Sequence, residues 1–148
     1  MKIGIGCDHG GIVLKPACIE ALNQLGYEYE DFGTYTTDSV DYPDYAEKVA
    51  KAVASGAVDK GIVLCGTGIG ISIAANKVKG IRCAHVTDIF SAKASSEHNN
   101  ANMIAFGGRI TTPEDAKEML LAFFNTPFAG GRHQTRIDKI TKIENNNL

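Results

Sequence analysis

Residues 61–77 read GIVLCGTGIGISIAANK: an apolar run, a turn holding Gly66, Gly68 and Gly70, then a run of small and apolar residues. The apolar run predicts a buried strand and the small-residue run a helix starting near Gly68–Gly70. Strand, glycine turn and helix in succession are the repeating unit of an α/β protein, and the unit recurs on both sides of this stretch. Upstream, Lys2–Cys7 reads as a short buried strand. A helix follows from about Gly11 to Leu25, on which Leu14, Cys18, Ala21, Leu22 and Leu25 share helical spacing before Gly26 stops it. Tyr27–Asp31 alternates as a strand does. The polar stretch FGTYTTDSVDYPDY then leads to a helix over Ala46–Ala54, and a connection of that length more often has a function than not.

Downstream, Ile81–Val86 predicts a strand, Asp88–Glu97 a helix and Met103–Phe106 a strand. Thr112 reads as a helix cap with Pro113 at the first position and Asp115 three residues beyond the cap. That helix should run to about Phe124. Five strands alternating with helices imply right-handed crossovers and a mostly parallel sheet covered on both faces. In such a sheet ligands bind at the carboxyl ends of the strands. Those ends carry Cys7-Asp8-His9, Cys65-Gly66-Thr67, His85 to Asp88, and Gly107-Gly108-Arg109, so polar and reactive groups collect along one edge. The tail TPFAGGRHQTRIDKITKIE breaks the alternation. Arg132 and Arg136 lie four apart, on one face if the tail is helical, and the Gly-Gly pair before them suits an arm that folds back or reaches a partner subunit.

A chain of 148 residues is expected to form one domain, 1–148, with a core of its own. Its net charge of -2 provides no basic field for nucleic acid or anionic lipid. No apolar run approaches membrane-spanning length, and Asp8 and His9 interrupt the region where a signal peptide needs an apolar stretch, so the cytoplasm is the expected compartment. The four cysteines form no C-x-x-C pair. Reduced thiols are therefore expected, with Cys18 and Cys83 as small core residues and Cys7 more structural than reactive.

Cys65 is different, because it sits between a strand and a helix N-terminus. Unpaired amides there carry partial positive charge and favour a thiolate over the free thiol, whose pKa is about 8.5. A buried, inert cysteine is the competing reading, and the glycines weigh against it, since they bring backbone N–H groups close to a ligand. Arg109, Arg132 and Arg136 are candidate clamps for a phosphate or carboxylate, or else surface ion-pairing residues. His98, at a helix end beside Asn99, reads first as a cap or surface residue, and His85 as a satisfied core or rim histidine. Three familiar motifs fail. The dinucleotide fingerprint lacks its third glycine, where Ile71 stands, although Asp88 lies at a suitable distance for a ribose. A cysteine phosphatase needs an arginine at that same position, and a P-loop needs a lysine.

Taken in order, GCDHGG, CGTGIGISIAANK, EHNNAN, FGGR and GGRHQTRI closely resemble the B-type ribose-5-phosphate isomerases and related sugar-phosphate isomerases, a family that includes galactose-6-phosphate isomerase subunits and an allose-6-phosphate isomerase activity. Five motifs in register cover essentially the whole chain. The resemblance implies a Rossmann-like three-layer fold, no metal or cofactor, and a homodimer with a shared active site that can pair further into a tetramer. Its substrate would be a small sugar phosphate. It implies that Cys65 moves a proton between C2 and C1, assisted by Thr67, and that the backbone of Gly66, Gly68, Ile69 and Gly70 holds the enediolate oxygen. Asp8 would bind sugar hydroxyls, His98 with Asn99 would open the furanose ring, and His9, Arg109, Arg132 and Arg136 would hold the phosphate. Two positions depart from the pattern. Ile71 stands where one branch of the family has a glutamate base, which leaves the burden on Cys65, and Asn100 stands where the histidine motif commonly continues with Asp. Ribose 5-phosphate is the expected substrate, a six-carbon phosphate or a silent binding subunit the alternatives, and a nucleotide-binding oxidoreductase the rival from another class.

Overall fold

The two innermost strands explain their own burial. KIGIGC and KGIVLC each start at a half-buried lysine and continue through five buried residues, as expected of strands covered on both faces. The computed structural model describes residues 1–146; the last two residues of the polar ENNNL end lie outside the described residues. Its strands are β1 (Lys2–Cys7), β2 (Glu28–Asp31), β3 (Lys60–Cys65), β4 (Cys83–His85) and β5 (Met103–Gly107). They form one sheet in the order β2-β1-β3-β5-β4, and every pairing is parallel rather than most of them. After β2 the chain crosses back over β1 to lay down β3, so the strand order reverses between β1 and β3. That crevice is where a ligand enters such a sheet.

The helices are α1 (Lys15–Leu25), α2 (Tyr42–Ser55), α3 (Ile69–Ala75), α4 (Ile89–Glu97), α5 (Pro113–Asn125) and α6 (Arg132–Asn146). Helices α1, α4 and α5 cover one face, packing on Ile3, Ile5, Ile62, Leu64, Ile104 and Phe106. Helices α2 and α3 cover the other, on Val63, Cys65, Met103 and Ala105. The result is the expected three-layer α/β sandwich.

Several boundaries differ from the sequence reading for local reasons. A short 3-10 turn, Ile12–Leu14, precedes α1, because the amides of Gly11 and Ile12 are both drawn to the Asp8 carbonyl. Helix α2 begins at Tyr42 rather than Ala46, since Pro43 fits a first turn and Asp44 complements its dipole. Strand β4 spans three residues rather than six, the Arg82 amide being taken by the Asn102 side chain. Thr112 caps α5 as expected, its Oγ1 accepting from the Asp115 amide at 3.1 Å.

The tail is a fifteen-residue helix that stands off the body. Among its described residues only Ile137 is buried, while Ile140 and Ile143 remain 47% and 62% exposed. Its start is held by ring stacking of His133 on His98, and its far end by Glu144 Oε1, which accepts from the Gly80 amide at 2.9 Å.

Candidate active site

The carboxyl ends of β1, β3 and β5 bring Asp8, the 65–70 turn and Arg109 together at the reversal point. Asp8 Oδ1 accepts from the amides of Gly10 and Gly11 at 2.8 and 3.0 Å, which fixes the carboxylate; Oδ2 takes no hydrogen bond among the described residues. Gly10 abuts Gly66, and the Arg109 guanidinium lies over Gly66, so near that a methyl group there would sit 3.0 Å from Nη1. The Arg109 amide donates to the Gly66 carbonyl at 2.9 Å. His9 is turned toward the long polar connection, its Nδ1 accepting from the Val40 amide.

Cys65 ends β3 in a recessed position, 4% exposed, and its Sγ accepts from the Gly68 amide at 3.1 Å. A thiolate at that point gains from the bond, which is charge-assisted. Thr67 does not touch the thiol: its Oγ1 accepts from the Ile69 amide at 3.2 Å, and among the described residues no hydrogen bond joins it to Cys65. With the Gly68 and Ile69 amides so occupied, the amides of Gly66, Thr67, Gly70 and the fully buried Ile71 have no hydrogen-bond partner among the described residues, and the first bond of α3 runs from Ser72 to Gly68. Free backbone donors in the turn that carries the sulfur can hold a developing oxyanion.

The glycines of the turn have separate duties. Gly68 adopts the left-handed conformation, φ +80°, and its Cα faces the imidazole of His85. Gly70 is bare because the ring of Tyr42 occupies the space a side chain would need. His85 is not the satisfied histidine its strand position suggests: its Nε2 is buried and unpartnered among the described residues. Tyr42 and His85 therefore shape the turn from α2 and β4. The sequence signals neither contact, because each joins residues far apart in the chain.

The remaining expected residues form a second group. His98 is the C-cap of α4, and its ring stacks on His133 with centroids 4.5 Å apart and planes 16° apart. His98, Asn99, Arg132, His133 and Arg136 line a cavity of about 520 Å³. Desolvation, followed by the nearby His98 and the two arginines, holds the His133 imidazole below its ordinary pKa. Among the described residues no hydrogen bond or ion pair links this group to Cys65, and Cys65 lines neither this cavity nor the larger cleft of about 770 Å³ between β4 and α6. That cleft is bordered by Lys77, Lys79, Arg82, Cys83 and Glu144, and neither Asp8, Cys65 nor His98 lines it, so its size does not mark the site.

The other cysteines are structural. The Cys7 thiol is buried and donates to the Thr34 carbonyl, and burial pushes its pKa up to about 11. Cys18 is fully buried, whereas Cys83 is half-buried at the cleft rather than a core residue. Asp88, the candidate ribose ligand, is spent on capping α4, its Oδ1 accepting from the Ser91 amide at 2.6 Å. Among the described residues no three His, Cys, Asp or Glu side chains gather as metal ligands, and no helix is long and apolar enough to cross a membrane.

Residues 3–140 match the model of the ribose/galactose isomerase family. The chain belongs to that family. Among relatives of the ribose/galactose isomerases, it is 53% identical to a putative sugar phosphate isomerase, YwlF, of Bacillus subtilis, over the whole of both chains. It is 48% identical to ribose-5-phosphate isomerase B of Escherichia coli, across 97% of this chain and 96% of that one. The solved structure of Clostridium thermocellum ribose-5-phosphate isomerase B superposes with a TM-score of 0.97 at 52% identity, covering both chains completely. In this family frame the order of the five motifs acquires a spatial meaning: three lie at the sheet edge and two in the histidine–arginine group.

Proposed function

We propose that the chain interconverts D-ribose 5-phosphate and D-ribulose 5-phosphate as an aldose–ketose isomerase, acting as a single-domain cytoplasmic homodimer. The observation that carries the reading is the Cys65 sulfur, held by the Gly68 amide at the end of a central strand, in a turn whose Gly66 and Gly70 amides have no partner among the described residues. In the open aldose, the Cys65 thiolate takes the C2 proton, the electron pair forms the C1=C2 bond, and O1 becomes the enediolate oxygen. A proton passes from O2 to O1, and the thiol returns its proton to C1 as the C2 carbonyl forms. The free amides of Gly66 and Gly70 stabilise the oxyanion, an effect that costs about 3–4 kcal/mol of barrier when one such donor is lost. Asp8 Oδ2 is free to accept a sugar hydroxyl. Thr67 acts through the turn it caps rather than on the sulfur.

The furanose form must open first. His98 gives a proton to the ring oxygen O4, the C1–O4 bond breaks, and the anomeric hydroxyl loses its proton as the aldehyde forms. His9, Arg109, Arg132 and Arg136 hold the phosphate, and Asn99 steadies the sugar beside His98. Within one chain the thiol group and the histidine–arginine group are separate, which supports a site in which His98, Asn99, Arg132 and Arg136 of one protomer face Cys65 of its partner. Five of the seven residues lining the cavity of the second group are His, Arg or Asn side chains suited to an anionic sugar.

The test is an isomerase assay on purified Cys65→Ala, where turnover is expected to fall about 10²–10⁴-fold, the usual worth of a positioned base. Near-normal turnover in a folded Cys65→Ala protein ends the assignment. Mixing Cys65→Ala with His98→Ala protomers is expected to restore activity if the site is shared between subunits, since half of the sites in mixed dimers are then intact.

A further inference from the structure

Beyond the residues already given roles, the carbonyls of the two residues after His98 are held by a side chain from another element. Arg82, just before β4, donates through Nε to the Asn99 carbonyl at 3.1 Å and through Nη2 to the Asn100 carbonyl at 2.7 Å. Its main chain grips the same segment, its amide donating to Asn102 Oδ1 and its carbonyl accepting from the amides of Asn102 and Met103. The turn needs such a hold. Asn100 is the one non-glycine residue among those described with a positive φ, +44°, a conformation that a side-chain-bearing residue adopts at a cost. The fork of a guanidinium satisfies two carbonyls in fixed directions, which the point charge of a lysine does not. Burial lowers the pKa of Arg82 while Glu144 of α6 raises it, so the same guanidinium sits in the field of the helix that carries Arg132, His133 and Arg136.

We propose that Arg82 is a positioning residue: by clamping the carbonyls of the two residues after His98, it sets the imidazole for ring opening and keeps it stacked on His133. The inference rests on the isomerase reading above but is separable from it. Ribulose 5-phosphate cannot close a furanose ring, because its O5 is esterified, so exchange of its C1 hydrogen with solvent deuterium needs the thiol and not His98. Conversion of ribose 5-phosphate needs both.

The experiment compares these two rates in Arg82→Ala and Arg82→Lys, with Cys65→Ala as control, and follows the His98 ring signals by ¹H–¹⁵N NMR. Conversion of ribose 5-phosphate is expected to fall at least about tenfold in both variants, as displaced catalytic groups do, while deuterium entry into ribulose 5-phosphate stays within about threefold. The His98 and His133 ring signals shift together. Equal loss of both rates, no loss of conversion, or unmoved His98 signals overturns the role of Arg82. Should Arg82→Ala fail to fold, Arg82→Lys, which keeps the charge and loses the fork, decides the matter. Retention of exchange in Cys65→Ala would instead overturn the thiol assignment, and the NMR result judges Arg82 whichever way that falls.

Discussion

Alanine at Gly68 perturbs the thiol turn at its tightest point. The residue sits at φ +80°, where a Cβ costs about 1–2 kcal/mol. The added methyl would lie 2.7 Å from His85 Cδ2 and 2.8 Å from the carbonyl carbon of Phe106, and the second of these is main chain in a central strand that cannot swing aside. Overpacking of this kind adds about 1–3 kcal/mol, for a total near 2–5 kcal/mol. Such a loss leaves a domain in the middle or upper part of the usual range of about 5–15 kcal/mol folded, and the urea titration reads directly whether it does. Gly56→Ala is the matched control: φ is +82° there, and nothing lies within 4 Å of the added atom, so only the conformational cost of about 1–2 kcal/mol applies. Urea unfolding and steady-state isomerisation would be measured on both. Because the Gly68 amide holds the Cys65 sulfur, Gly68→Ala is expected to lose about 10²-fold in turnover, as a displacement of about 1 Å does, while Gly56→Ala keeps normal turnover. If the two variants unfold at the same midpoint and turn over equally, the packed turn does not position the thiol and the argument fails.

Three further outcomes follow from other contacts. The Cys7 thiol ionises near 11 in the fold and about 8.5 in the unfolded chain, so its contribution is complete below about pH 8.5 and is lost as pH rises to 11, at about 1.4 kcal/mol per pH unit; Cys7→Ala should flatten that limb in urea titrations run at successive pH values. Lys15, 7% exposed, bonds both oxygens of Asp31 at 3.0 Å and also the Thr34 carbonyl. Lys15→Met strands the carboxylate, which keeps some solvent contact and its bond from the Gly33 amide, so the expected loss in urea unfolding is about 2–3 kcal/mol; a loss below about 1 kcal/mol would mean solvent already screens the pair. Asn100→Asp should leave kcat/KM within about threefold, since Arg82 grips the main chain there and Asp tolerates the same backbone; a loss beyond about tenfold would give the side chain the role assigned to Arg82.

The sheet was readable because its inner strands are buried on both faces, which writes Ile3 to Cys7 and Gly61 to Cys65 as unbroken apolar runs. The strand ends followed from those runs, and with them Asp8, Cys65 and Arg109 at one edge. Two kinds of feature stayed hidden. The contacts of Gly68 with His85, of Gly70 with Tyr42 and of Arg82 with Asn99 and Asn100 depend on how separate elements are brought together, and composition carries no trace of a partner 17 or more residues away. The tail was legible only as two arginines on a common face. Helix α6 carries Ile137, Ile140 and Ile143 at helical spacing but buries only the first among its described residues, so the stripe does not mark where the arm packs. The division of the site into a sheet-edge group and a histidine–arginine group was equally invisible, since five motifs in order say nothing of which ones meet.

The hinge ahead of α6 has an evolutionary consequence. Gly130 and Gly131 have φ of +67° and +57°, with open space where their side chains would be, so the arm's angle rests on the stacking of His133 on His98 and on the Glu144–Gly80 bond rather than on packing at the pivot. On the proposed roles, mutations at this pivot would re-aim the residues that grip the phosphate while those that move the proton, on the sheet, stay untouched. Reach for longer or shorter substrates would then be a trait that drifts separately from the reaction itself, so that a lineage changes its diet without reinventing its chemistry.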